Sequence, residues 1–376
     1  MAKIQMVDLK SQYKKIKQEI DNEIFAVINS SKFINGPVVK EFQDDLANYL
    51  NTKHVITCAN GTDALQISMM ALGLKPGDEV ITSDFTFVAT VEVIALLGLI
   101  PVLVDVDPKT FTIDTEKLEK AITPKTKAIV PVHLFGQAAN MDTIQKIAKK
   151  HSLFIIEDNA QAIGADYITE SKKQKLGTLG DIGCTSFFPS KNLGCFGDGG
   201  AIFTSNDELA DKIKSIVNHG MRVRYYHDHI GVNSRLDSLQ AAILKIKLKY
   251  LDEYNNARQT AAAYYDTSFK DCEKLIIPSR NNQSSHVFHQ YTLKTQNVNR
   301  NNLIEYLKSK DIPAMIYYPV PLHQQKAYTK YNFNDSDFPV TNKLSKIVVS
   351  LPIHTELKKE EQDYIIENVI KGLDKC

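Results

Sequence analysis

Between about residues 50 and 205 the chain alternates short apolar runs with stretches of helical periodicity. No other feature restricts the fold as much. HVITCA (54–59) leads into TDALQISMMALGL (62–74), and DEVITS (78–83) into FVATVEVIALLG (87–98). IPVLVDV (100–106), KAIVPVHLFG (127–136) and LFIIEDNA (153–160) repeat the theme, each bounded by turn residues. Continuous Val/Ile runs followed by helices are the pattern of parallel strands buried on both faces. Right-handed crossovers then give a mostly parallel α/β sheet, whose ligands sit at the carboxyl ends of the strands.

The rest of the chain reads differently. LQAAILKIKLKYLDEYNNARQTAAAYYDTSF (239–269) predicts a long helical connector leaving the sheet. HVFHQYTLKT (286–295), RNNLIEYLKSK (300–310) and KIVVSLPIH (346–354) then mix strands with helices. The expected organisation is a large α/β domain over residues 1–245 and a smaller C-terminal α+β domain over 246–376. LKSQYKKIKQEIDNEIFAVINSS (9–31) is an amphipathic helix packed on one of them. Forty-five basic residues oppose 44 acidic ones, and a net charge of +1 offers no field for nucleic acid or anionic membrane. The first residues lack an apolar signal-peptide core, and no run reaches the roughly 18 apolar residues of a membrane span. Cys58, Cys184, Cys195, Cys272 and Cys376 are odd in number, scattered and free of CxxC spacing. They read as reduced thiols of a cytoplasmic protein, with no zinc site.

The candidate chemistry centres on TSFFPSKNLGCFGDGGAIFTS (185–205), where Lys191 is the one basic residue. Most lysines are surface residues. One between FFPS and NLGCFG is expected to be partly desolvated, which lowers its pKa and makes the amine a nucleophile toward an aldehyde. Asp158 ends a buried strand, as a cap, a solvated end or a functional acid. Gly61-Thr62 opens a helix at a strand-to-helix turn, either for capping alone or to present backbone N–H groups to a phosphate. Gly194, Gly197, Gly199 and Gly200 do not form a GxGxxG at a first βα unit, so a dinucleotide fold is poorly supported. A phosphate turn, an acid, Ser186 and a lysine in that order meet the needs of pyridoxal phosphate: a Schiff-base amine, a carboxylate for the pyridinium nitrogen and a phosphate grip.

ANGTDAL, KPGDEVITSDFTFVAT, DVDPKTFTID, AITPKTKAIVPVHLFG, IIEDNAQAIGA, TSFFPSKNLGCFGDGGAIFT and GVNSRLDSLQAAIL recur here in order and with matching spacing. Together they resemble the nucleotide-sugar aminotransferases of the DegT/DnrJ/EryC1/StrS family over nearly the whole chain. The resemblance implies the pyridoxal-phosphate-dependent transferase architecture of fold type I. Within the family the chain is similar to bacterial 3-aminotransferases that convert UDP-2-acetamido-2-deoxy-3-oxo-glucuronate to its 3-amino product, a step toward surface polysaccharide or lipopolysaccharide. It also implies glutamate as amino donor, pyridoxamine phosphate as the alternate cofactor form, and a homodimer with active sites shared across the interface. Carried over to this sequence, Lys191 would bind the cofactor covalently and shuttle the proton. Asp158 would keep the ring nitrogen protonated, Gln161 would bond the ring hydroxyl and Phe87 would stack on the ring. Gly61, Thr62 and Ser186 would hold the phosphate, with Asn233 from the neighbouring subunit. Arg235, Tyr317 and Tyr318 would meet the sugar substrate. Read alone, Phe87 fits core packing as well as stacking, and Asn233 fits a turn.

Two departures bear on the substrate. Tyr317-Tyr318 stands where the family usually shows His-Tyr, and that position lines the sugar site. PLHQQ (321–325) is shared with deoxyhexose 3-aminotransferases, which points toward a dTDP-linked 3-oxo-6-deoxyhexose; a 4-keto sugar is a further alternative. Asn159 replaces an alanine beside the acid. A pyridoxal-phosphate-dependent sugar dehydratase is a weaker fit because relatives of that kind replace the lysine by histidine. A non-catalytic regulatory homologue has no basic patch to support it.

Overall fold

The computed structural model describes residues 4–169 and 172–375; Cys376 falls outside them. Its central feature is a seven-stranded sheet: β1 (His54–Cys58), β2 (Glu79–Ser83), β3 (Ile100–Val104), β4 (Thr126–Val130), β5 (Phe154–Asp158), β6 (Ile182–Ser186) and β7 (Gly200–Thr204). The spatial order is β1-β7-β6-β5-β4-β2-β3. The five expected apolar runs are β1 to β5, and the sheet is mostly parallel, as in fold type I. The exception is β7, which lies antiparallel between β1 and β6. The loop carrying Lys191 is therefore the link between two adjacent antiparallel strands, and it opens at the end of the sheet where the parallel strands finish.

Each sheet face is covered by helices whose apolar residues meet it. Leu65, Ile67, Val93, Ile94 and Ile213 pack with Ile56, Val80, Val130 and Ile202 on one side. Phe42, Leu46, Ala241, Ala242 and Leu244 pack with Val55, Phe187 and Phe203 on the other. The N-terminal amphipathic stretch forms two helices, Leu9–Lys15 and Lys17–Ser30, interrupted at Ile16. The second sets Ile20 against Ile243 and Ile246.

The expected connector is also two helices, Ser238–Leu248 and Leu251–Phe269. The first is buried almost throughout, including Lys247, and joins the core of Phe42, Leu46, Phe187 and Phe203 on the sheet. The second turns Ala261, Ala262, Tyr265 and Phe269 into a separate core with Tyr291, Leu293, Leu307, Val349 and Ile365. One continuous helix would direct both apolar faces along a single axis. The break at Lys249-Tyr250 lets each face its own core. A three-stranded antiparallel sheet, Leu275–Ile276, Tyr291–Thr295 and Val348–Leu351, organises this second core. HVFHQ does not join the strand that follows it, because its backbone groups bond to the Leu134–Gly136 turn and to side chains instead. Among the described residues no helix is long and apolar enough to cross a membrane.

Phe42, fully buried, meets the Phe187 ring edge-on at 5.5 Å between centroids, directly under the start of the Lys191 loop. Phe42→Ala is expected to cost about 3–5 kcal/mol of stability, seen as a lowered denaturant midpoint in chemical unfolding.

Candidate active site

The carboxyl ends of the strands enclose a cavity of about 390 Å³. Strand by strand, β1 delivers Asn60, Gly61 and Thr62; β2 delivers Thr86 and Phe87; β4 delivers Val132 and Phe135. From β5 come Asp158 and Gln161, and from β6 Ser186 and Lys191. His289, Gln290, Tyr317 and Tyr318 close it from the C-terminal region. Nine of the eleven expected site residues therefore converge. Asn233 and Arg235 do not line this cavity; Arg235 Nε donates to Asn233 Oδ1 at 2.8 Å on the exposed surface.

The turn after β1 is built for close approach. Asn60 caps the helix Gly61–Ala71 by accepting from the Asp63 amide at 2.8 Å, which leaves the Gly61 and Thr62 amides without intrahelical partners. A Cβ on Gly61 would lie 2.7 Å from Ser186 Cβ, and one on Gly200 would lie 2.4 Å from the Asn60 carbonyl oxygen. The missing side chains bring two free amides and the Ser186 hydroxyl around one point. Such a cluster suits an anion.

Successive residues of a strand face opposite sides, and this separates the two acids at the end of β5. Glu157 is fully buried away from the cavity and accepts from His133 Nε2 at 2.8 Å and from the amides of Gly177, Leu179 and Gly180. It is a structural carboxylate with its lone pairs filled. Asp158, 6% exposed, lines the cavity, accepting from Thr90 Oγ1 at 2.8 Å and from the Ala160 amide at 3.2 Å. Gln161 is fixed at both ends: its Oε1 accepts from the Phe135 amide at 2.8 Å, and its Nε2 donates to the Tyr318 hydroxyl at 3.0 Å. Phe87 is 54% exposed with its ring 6.4 Å from that of Tyr318, so it is not a core residue. Asn159 is buried outside the cavity wall, donating to the Leu176 carbonyl at 2.9 Å.

Burial pushes the Lys191 amine down to about 8, with the Asp158 carboxylate pulling weakly the other way. A useful fraction of the amine is then uncharged near neutral pH. Burial also holds His289 well below the usual imidazole value, helped by the charges of Lys191 and Arg258, so its ring is neutral. Thr86, Thr90 and His289 were not singled out from the sequence. Thr90 sits in the apolar run FVATVEVIALLG and His289 in a run that reads as a strand, so neither carried a polar signal of its own. Outside the cavity lining, the His323 amide and Nδ1 meet Asp84 Oδ1 and Oδ2 at 2.8 and 2.6 Å, and its Nε2 lies 3.0 Å from Asp335. Burial pulls the imidazole pKa down, but the two carboxylates outweigh it and hold the pKa above its usual value.

The cavity fits pyridoxal phosphate on its own chemistry. Among the described residues Thr86 Oγ1 and His289 Nδ1 are buried on its wall without partners, the turn admits no side chain at Gly61, and an amine with a lowered pKa shares the wall with a carboxylate. Among the described residues there is no cluster of metal-ligating side chains.

The sequence profile of the DegT/DnrJ/EryC1/StrS aminotransferase family matches residues 14–370. A relative from Pseudomonas aeruginosa, named UDP-2-acetamido-2-deoxy-3-oxo-D-glucuronate aminotransferase, is 48% identical across 94% of this chain and 96% of its own. A Geobacillus stearothermophilus relative named pleiotropic regulatory protein is 45% identical across 97% of each chain. A dTDP-3-amino-3,6-dideoxy-alpha-D-galactopyranose transaminase from Aneurinibacillus thermoaerophilus is 40% identical across 97% of this chain and 98% of its own. Among solved structures, NtdA of Bacillus subtilis with bound pyridoxamine phosphate superposes with a TM-score of 0.92 at 34% identity, covering all of this chain and 86% of that one.

Gly61→Ala is expected to weaken cofactor binding without unfolding the protein, because the new methyl meets Ser186 inside the anion turn; titration of the apoprotein with pyridoxal phosphate measures it. The rate at which the apoprotein takes up the cofactor on Lys191 is expected to rise between pH 6 and 9 with a midpoint near 8, as the amine loses its proton. Borohydride trapping at each pH gives that rate, and a midpoint above 10 would mean that the amine is solvated.

Proposed function

We propose a substrate for an enzyme whose class is established: the chain belongs to the DegT/DnrJ/EryC1/StrS aminotransferase family and is a sugar aminotransferase that uses pyridoxal phosphate. The substrate we infer is a UDP-linked 3-keto sugar, with glutamate as amino donor and the product destined for a surface polysaccharide. The observation that carries this reading is the 48% identity, over nearly the full length of both chains, to a relative named for a UDP-linked 3-oxo sugar. The relative named for a dTDP sugar supports carbon 3 as the site of amination and keeps a dTDP-linked 3-oxo-6-deoxyhexose as the second reading.

When bound, pyridoxal phosphate supplies the electron sink that both half-reactions of a transamination require. The protein supplies the rest. The Lys191 amine, whose hold on its proton burial weakens, would be the nucleophile and the local proton carrier. Thr90 and the Ala160 amide aim the Asp158 carboxylate, which would hold a proton on the ring nitrogen. Gln161 would bond the ring hydroxyl, Phe87 would cover the ring and exclude water, and Gly61, Thr62 and Ser186 would hold the phosphate. Tyr317 and Tyr318 would face the sugar.

Asn233 and Arg235 would complete the cavity of a second copy, in a homodimer. Two features support this. Both residues lie outside the cavity of their own chain, and the nearby hairpin exposes Val223, Tyr225, Tyr226 and Ile230, an apolar cluster that an isolated chain would leave in water.

Lys191→Ala is expected to abolish turnover while still binding pyridoxamine phosphate, and Asp158→Asn to slow turnover by roughly 10²–10⁴-fold. Both are read by 2-oxoglutarate release from glutamate. UDP-linked 3-oxo-glucuronate and dTDP-linked 3-oxo-6-deoxyhexose, offered side by side, should show the UDP sugar as the faster substrate; turnover of neither would redirect the assignment to a 4-keto sugar.

A further inference from the structure

The stretch His286–His289 carries the His289 ring into the cavity wall, and side chains hold every one of its carbonyls. Gln259 Nε2 donates to the His286 carbonyl at 3.1 Å, and Asn192 Nδ2 to that of Val287 at 2.9 Å. One nitrogen of Arg258 donates to the carbonyls of Phe288 and His289 at 3.1 and 3.4 Å, and to that of Ile353 at 3.0 Å. Asn192, the residue after Lys191, also bonds Asn255 at 2.7 Å. Asn255, Arg258 and Gln259 stand three and four residues apart, on one face of the helix Leu251–Phe269. That face grips both the lysine loop and the segment that delivers His289.

Arg258 is an expensive way to make these bonds. It is 2% exposed, its Nε has no partner, and among the described residues no carboxylate offsets its burial, which lowers its pKa to about 10. A buried charge without an ion pair costs stability that neutral donors to the same carbonyls would not. Its charge falls on His289, whose other charged neighbour is Lys191; Lys191 in turn faces Asp158.

We propose that Arg258 is a positioning residue of the transamination: by holding the Phe288 and His289 carbonyls it fixes the His289 ring in the cavity wall beside Lys191, where the ring contacts the bound ligand. Arg258 touches no ligand itself and acts through His289. The proposal rests on Lys191 being the reactive amine.

The test uses the holoenzyme with Arg258→Met, Arg258→Lys and His289→Gln. It measures the single-turnover rate with glutamate, KM and kcat, the pH midpoint of the bound cofactor's absorbance, and pyridoxamine phosphate affinity. Folded Arg258→Met is expected to keep its cofactor affinity, lose roughly ten- to a hundred-fold in single-turnover rate and shift the absorbance midpoint. Arg258→Lys should recover part of the loss, and His289→Gln should reproduce it. An unchanged rate and midpoint in folded Arg258→Met overturns the proposal, as does a loss confined to cofactor affinity or thermal stability. If Arg258→Met fails to fold, His289→Gln decides: wild-type rate and midpoint in that variant overturn it. Residual turnover in Lys191→Ala would instead sink the function reading.

Discussion

A cavity lysine whose pKa burial lowers, with no ion pair among the described residues, is the constraint around which the rest of this site is arranged. Lys191 cannot reach that state on the surface, and a strong counter-charge in contact with it would restore the proton. The protein meets both conditions with the loop between β6 and the reversed β7. That loop opens over the carboxyl end of the parallel sheet and places Asp158 as the nearby acid. Packing of Phe187 and Leu193 into the core beneath fixes the loop's depth. The cavity thus depends on apolar packing as much as on its polar lining.

The acids show how the sheet sorts chemistry from structure. Glu157 and Asp158 are neighbours in sequence and look equivalent there. The pleat sends one to a cage of backbone amides and His133, and the other to the cavity, where Thr90 orients it. A strand end therefore supplies two carboxylates with separate fates at no cost in chain length.

Much of this was legible in the sequence, for physical reasons that can be named. Five Val/Ile runs gave β1 to β5 because strands buried on both faces need continuous apolar residues. Lys191 stood out because lysine is rare between such runs, and Gly61, Ser186 and Gln161 followed from their place in motifs shared with a family. The reversal of β7 was not legible, since GAIFT has the composition of its parallel neighbours and direction depends on the length of the preceding loop. Neither was the group formed by Asn255, Arg258 and Gln259, which in NNARQTAAAYY reads as the polar face of a solvated helix. The carbonyls that Arg258 holds lie about 30 to 100 residues further on, beyond the reach of local pattern.

The C-terminal side of the cavity is fastened at several points. The 286–289 stretch is tied to the helix beneath it and to the residue after Lys191, whereas the region holding Tyr317 and Tyr318 is tied through His323 to Asp84, at the end of β2. Tyr318 is also tied to Gln161 inside the cavity, so only the stretch beyond it hangs from the rim alone. Changes within residues 319–338 can therefore recontour the rim while the Gln161–Tyr318 contact keeps its alignment. A single scaffold can in this way acquire many specificities without reinventing its chemistry.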